Sequence, residues 1–333
     1  MLALVLAISS AVMQPVEATA LDQFLEGCAV RSIVSSEPLG AVTLGEMPLG
    51  KLDDELEFLV AGHLYGQPGL TGRGWIARNF RRSIPDLRAR QPDFLVSLGD
   101  FVRSSDPISF DVSVGRLRKL HVPVFNTPGN HDVAGGRAGY ERRFGRTFGA
   151  LRRGRNLLIF LDTERSPWNL DRVQVAFLER LLMLARPSAK ADIRNVFLFA
   201  HRVIFAASEP RYAPLLRHCN SRSGFSGSNF QAEVAPLLSE FRRFAGVYWF
   251  SGDVGVSWSY GLFYDRHPDS GVVYCATGVG DTEHDNILSV RVDSEGAVEI
   301  EVIALGGAPL PALTRCGPEF WRSRFRALAE SED

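Results

Sequence analysis

Lysine is nearly missing from this chain. Only Lys51, Lys119 and Lys190 occur, so 34 of the 37 basic residues (37 less 3) are arginine. Against 38 acidic residues the net charge is −1, which excludes a global basic field of the kind that gathers nucleic acid. The arginine excess reads as compositional bias unless single guanidinium groups sit where a phosphate or carboxylate would be gripped. Cysteine is also scarce. Cys28, Cys219, Cys275 and Cys316 are far apart and form no CxxC, which excludes a zinc ribbon. The sequence does not say which of them an exported chain would pair. Phosphate-binding and nucleophile motifs are absent too. "GLTGRG" before Trp75 lacks the Lys-Ser/Thr ending of a P-loop, and no GxGxxG opens a helix. "FSGSNF" lacks the GxSxG context of a serine hydrolase. Finally, "MLALVLAISSAVM" carries no charge, and the first ionisable side chain is Glu17. This run is too short to span a bilayer comfortably. With "ATA" at 18–20 it reads as a secretory signal or membrane-tethering segment over 1–20, although a basic lead-in is missing.

What is present is alternation. Near-continuous apolar runs bounded by turn residues predict buried strands: "LEFLVAG" (56–62), "DFLVSLGD" (93–100), "VPVFNTPGNHD" (122–132), "NLLIFLDTE" (156–164), "NVFLFAH" (195–201) and "GVYWFSGD" (246–253). Helical spacing follows several of them. Residues 74–90 place Trp75, Ile76, Phe80, Ile84 and Leu87 on one face, with Pro85 expected to break or kink the helix. Residues 111–120 form a weak helix, 171–185 a clear amphipathic one, and 234–244 another. Three β-like segments with hairpin-sized gaps close the chain, "GVVYCATG", "NILSVRVD" and "AVEIEVIAL". The pattern predicts a layered α/β fold with mixed sheets. One catalytic-type domain covers 55–310, after a lead-in at 21–54 and before a tail at 311–333.

The chemistry collects where strands end, as ligand sites do in open α/β sheets. In order these ends are Gly62-His63, Gly99-Asp100, Gly129-Asn130-His131-Asp132, His201 and Gly252-Asp253. Three of the seven histidines lie in this set; His121, His218 and His267 fall outside it and read as structural or surface residues. A strand-end "GD" alone is common, often as a helix cap. "GNHD" some thirty residues after "LVSLGD" is far more specific.

This series resembles the calcineurin-like metallophosphoesterase superfamily, whose pattern is D-x-H, G-D, G-N-H-[DE], a lone His, then G-H-x-H. The resemblance implies a four-layer α/β/β/α sandwich with two mixed sheets, two divalent metals and hydrolysis of phosphate esters. The chain departs from that pattern in two places. "AGH" puts Ala61 where the first aspartate belongs, and "GDVG" puts Asp253 and Gly255 where two histidines belong. Carried over residue by residue, one metal keeps only His63 and Asp100. The other keeps Asp100, Asn130 and His201, with Asp253 as an oxygen donor that hard or borderline cations accept. The resemblance therefore implies one divalent cation per chain (Mn, Fe, Mg or Zn). It makes His131 the general acid, with Asp132 orienting it. His63 would bind phosphate or a weak second ion, and Arg202 is a candidate phosphate contact. "GVGDTEHDN" offers Asp281, Glu283, His284 and Asp285 either as a replacement ligand or as a solvated acidic loop. The expected activity is hydrolysis of a phosphomonoester or phosphodiester, small or polymer-linked, by a metal-activated water. The alternative is a catalytically impaired binding or scaffolding protein. No feature points to nucleic acid. Export, or membrane association through the amino terminus, is the expected location.

Overall fold

The computed structural model describes residues 19–34, 55–66, 75–187, 192–207, 209–216, 227–254 and 261–331. Most of the expected signal segment, Gly255, His218 and Cys219 lie outside them. The described chain runs α1 (Ala20–Glu26), β1 (Leu56–Ala61), α2 (Arg78–Ala89), β2 (Phe94–Ser97), α3 (Pro107–Leu117), β3 (Val124–Asn126), α4 (Asn130–Val133) and α5 (Arg137–Phe144). It continues with β4 (Gly149–Arg153), β5 (Asn156–Phe160), α6 (Arg172–Ala185), β6 (Asn195–Ala200), α7 (Ala213–Leu216), α8 (Ala235–Arg242) and β7 (Gly246–Ser251). It ends with β8 (Leu262–Arg266), β9 (Val273–Thr277), β10 (Asn286–Val292), β11 (Val298–Ala304) and α9 (Pro318–Ser331).

The strands form two mixed sheets, ordered β11-β10-β1-β2-β3 and β4-β5-β6-β7-β9-β8. In the five-stranded sheet β1, β2 and β3 are parallel and β10 and β11 add antiparallel strands at one side; in the six-stranded sheet the central strands are parallel and β4 and β8 are antiparallel edges. Side chains alternate across each strand, so β1 feeds two cores. Phe58 and Val60 enter the space between the sheets, while Leu59 and Ala61 pack against α2 and α3. A third apolar cluster joins the six-stranded sheet to α1, α6 and α8. The architecture is therefore the four-layer α/β/β/α sandwich. Phenylalanine cements its middle: the ring of Phe58 lies 5.0 Å from that of Phe94 in its own sheet and 5.3 Å from that of Phe197 in the other. Emptying such a site costs about 3–5 kcal/mol.

Helix α2 runs unbroken through Pro85, against expectation. Pro85 is exposed, so water can reach the Arg81 carbonyl that its missing N–H leaves unbonded. Helix α3 starts four residues earlier than expected because the Asp106 carboxylate caps it, accepting from the Ser109 amide at 3.0 Å. The segments set apart as lead-in and tail also enter the core. Leu21 and Leu25 of α1 and Trp321 of α9 are buried in the cluster beside the six-stranded sheet.

Candidate active site

Five loops at the carboxyl ends of β1, β2, β3, β6 and β7 bring the strand-end residues together. Gly99 makes the close approach possible. A Cβ there would come within 2.6 Å of both His201 Nδ1 and the Gly129 amide nitrogen. A Cβ on Gly129 would sit 2.2 Å from Asp100 Oδ1. Two site residues, His63 and Asp100, hold left-handed backbones with φ of 52° and 55°. Such strain in non-glycine residues persists only where surrounding structure imposes it, and it clusters at functional sites.

Asp100 is the centre. It is 2% exposed, and its Oδ1 accepts from the His131 amide at 3.0 Å. Its Oδ2 lies 3.6 Å from His63 Nε2 and 3.6 Å from His201 Nε2. His201 is fully buried, and its Nδ1 lies 2.7 Å from the Leu98 carbonyl. A carbonyl only accepts, so Nδ1 carries the hydrogen and Nε2 presents a lone pair to the Asp100 carboxylate. Burial pushes His201 down to about 4, and burial with the neighbouring His201 and His131 pushes His63 down to about 3. Both imidazoles are therefore neutral at pH 7. Asp100 is driven well up by burial and by the charges of Asp132 and Asp253. Asp253 is 1% exposed, and its amide donates to the His201 carbonyl at 3.0 Å. Asn130 Oδ1 and His201 Nε2 are buried with no hydrogen-bond partner.

These residues fit a divalent cation. His201 Nε2, a buried acceptor without a hydrogen-bond partner, faces the Asp100 carboxylate, and Asn130 Oδ1 is likewise unpartnered; leaving buried acceptors so is costly. Two donors about 2.1 Å from a shared ion stand roughly 3.0–3.6 Å apart for angles of 90–120°. The two imidazole–Asp100 separations lie at the upper end of that range. The Nδ1 contact to Leu98 is of the kind that would orient such a histidine toward an ion. Among the described residues, however, no three His, Cys, Asp or Glu side chains are gathered into a closed metal-binding group. The fit rests on pairs and includes a carboxamide.

Two expected roles change. Asp132 does not orient the His131 ring. Its fully buried carboxylate accepts from the amides of Asp100 (2.8 Å), Gly129 (2.9 Å), Phe101 (3.1 Å) and Val102 (3.3 Å), and from Asn126 Nδ2 (3.3 Å). It ties the loop after β2 to the loop after β3. Burial pushes its carboxyl up to about 7, but all five neighbours are donors, so the pocket is built for the charged form. The His131 ring is held instead by the Arg103 carbonyl, 2.8 Å from Nδ1. Arg202 does not reach toward a phosphate either. It is 3% exposed, grips Glu164 through Nε (2.5 Å) and Nη2 (2.8 Å), and stacks over Trp168.

Sequence reasoning passed over Tyr65 and Glu164. The Tyr65 ring packs 4.2 Å from that of His63 and 4.9 Å from that of His131. Burial and the charges of Asp100 and Asp253 push its phenol up, so it stays protonated. Two positions after His63, it is marked only by being an aromatic in a turn. In the loop after β9, Asp281 and Asp285 are buried rather than solvated, and Asp281 Oδ2 has no hydrogen-bond partner. Asp281 Oδ1 accepts from the Asn79 amide at 3.0 Å and so caps α2, while Asp285 accepts from the Gly280 and Thr282 amides.

The family description Calcineurin-like phosphoesterase matches residues 63–254, more than half of the chain. The chain belongs to the calcineurin-like phosphoesterases. Members of this family act on phosphate esters with divalent metal cofactors. Among solved structures, similarity is found to a dimetal phosphatase from Danio rerio, 15% identical with a TM-score of 0.49, covering 75% of this chain and 99% of that one. It is found also to the purple acid phosphatase PPD1 from yellow lupin (Lupinus luteus) seeds, 13% identical with a TM-score of 0.49, covering 78% and 53%. Vps29 of Chaetomium thermophilum follows at 11% identity and a TM-score of 0.30, covering 76% and 100%. No curated protein matches the chain.

Proposed function

We propose that this calcineurin-like phosphoesterase hydrolyses a phosphomonoester or phosphodiester at a reduced site built for one divalent cation. Asp100, Asn130, His201 and Asp253 would hold the ion. The observation that carries this reading is the bare Nε2 of His201 facing Asp100 Oδ2 at 3.6 Å, beside the unpartnered Asn130 Oδ1. Bound there, the cation supplies Lewis acidity to the phosphoryl group and to water. The chain's own residues do the rest. With Nδ1 donating to the Arg103 carbonyl, the half-buried His131 has only Nε2 left to deliver a proton to a leaving oxygen. Tyr65 and His63 wall the space beside it, and Asp132 fixes the two loops that carry Asp100 and Asn130.

A specific observation favours a second reading, a phosphoesterase fold kept for binding without turnover. Ala61, where the family places a carboxylate, is fully buried and belongs to the apolar cluster beneath α2 and α3. The discriminating experiment incubates the purified chain and Asp253→Ala with Mn²⁺ and aryl phosphomonoester or phosphodiester substrates. The proposal expects turnover by the parent chain and its loss in Asp253→Ala. No rate above buffer from the parent, with protein folded and metal present, supports the binding reading.

A further inference from the structure

Outside the active site, the surface between α2 and the carboxyl end of α3 forms a groove of about 420 Å³, lined by Arg78, Arg81, Arg82, Ile84, Arg116 and Lys119. That volume falls within the range of small-ligand sites, about 300–1,000 Å³. None of these residues belongs to the candidate active site. We propose that the groove binds a soluble oligophosphate, a ligand carrying two or more phosphate groups in series.

Residues 78, 81 and 82 share a face of α2, and 116 and 119 approach it from α3 and the turn that follows. Five cations therefore line one groove, with Ile84 the one apolar lining residue among the described residues. In a chain with 34 arginines a cluster alone means little, but this one gathers five cations around one groove with no carboxylate among its lining residues. Some arginines elsewhere meet carboxylates, among them Arg90 with Glu301, Arg165 with Asp171, Arg211 with Asp265 and Arg291 with Glu299. Among the described residues, none of the five groove cations lies in an ion pair. Asp86, one turn on from Arg82, makes none with it. Asp111 of α3 pairs with Arg143 of α5 instead. Arg116 is held over the Trp75 ring, 4.6 Å from its centre, so its position does not depend on an anion. Burial, and after it the neighbouring Arg81, push the Arg116 guanidinium down.

The matching chemistry is clustered negative charge with oxygen acceptors. Arginine forks bind phosphate bidentately and lysine acts as a point charge. A single phosphate would leave most of the five cations uncompensated, whereas phosphates in series spread charge along the groove. The concave shape suits a discrete ligand better than a membrane plane.

The test titrates the full chain with inorganic tripolyphosphate by calorimetry at physiological salt. The same titration is run on Arg81→Gln/Arg116→Gln and on the control Arg180→Gln, which removes an exposed charge from α6 in the other outer layer. Unchanged melting and unchanged metal content report that each variant is folded and its active site intact. The proposal expects saturable binding, weakened roughly tenfold per groove arginine removed and unaffected in the control. It is overturned by no binding to the parent chain, by binding that survives in the double variant, or by an equal loss in Arg180→Gln. Binding only to phosphatidylcholine vesicles containing phosphatidic acid, and not to tripolyphosphate, overturns it as well.

Discussion

Replacing Asp132 by Asn keeps the size of the side chain and changes one oxygen into a donor. With the amide oxygen placed at Oδ2, the donors Asp100 N, Gly129 N and Asn126 Nδ2 keep an acceptor. The new NH₂ then faces the amides of Phe101 and Val102, donor against donor. The opposite rotamer loses three bonds instead of two. Hydrogen bonds to a charged acceptor are worth about 1.5–3 kcal/mol each, so two losses amount to roughly 3–6 kcal/mol. Removing a buried charge offsets part of this, which favours the lower end, about 3 kcal/mol. For a chain of this size that corresponds to a fall in melting temperature of roughly 6 °C. The assay is thermal unfolding followed by circular dichroism, beside phosphate-ester turnover measured well below the melting point. A melting temperature within about 1 °C of the parent, with turnover abolished, would refute the structural role and return Asp132 to the proton chemistry.

Two further outcomes follow from the same geometry. His131→Ala is expected to lower turnover by about 10²–10⁴ while leaving melting and metal content unchanged, and the loss should shrink for substrates with acidic leaving groups, which need no proton. Asp106→Ala removes the cap of α3 and should cost about 1 kcal/mol near neutral pH. The Ser109 hydroxyl and amide hold Asp106 below its usual 3.8, so this difference should persist above pH 4 and vanish as pH falls through the folded-state value. Chemical denaturation of both proteins across pH 2–7 measures it.

Much of the fold can be read along the chain because its central strands are buried on both faces. Runs such as "NVFLFA" leave no ambiguity about burial, and their terminal Gly-Asp or His residues mark the site directly. The elements that escape notice are the edges. Strands β4 ("GALRR") and β8 ("LFYDR") flank the six-stranded sheet, and each is buried at its start and less buried at its polar carboxyl end, so neither shows a continuous apolar run. Helix α5 ("RAGYERRF") is short and mostly polar, so it shows no apolar stripe. In the site, donor-bearing residues were visible by type and spacing, but not what they bond. Asp132 looked like a partner for His131 because the backbone amides that claim it have no side-chain signature. Arg202 looked available because Glu164, 38 positions earlier, approaches it only through the neighbouring strand ends. The basic groove was hidden in an arginine-rich composition, and only the gathering of five cations from two neighbouring elements around one groove sets it apart.

The account stands on a lone cation held among Asp100, Asn130, His201 and Asp253, and counting that ion tests it most directly. Elemental analysis after equilibration with Mn²⁺ and removal of loose metal should find one ion per chain, falling toward zero in both Asp253→Ala and Asn130→Ala. An ion-free parent chain, or two ions that both remain when Asp253 is truncated, would contradict it.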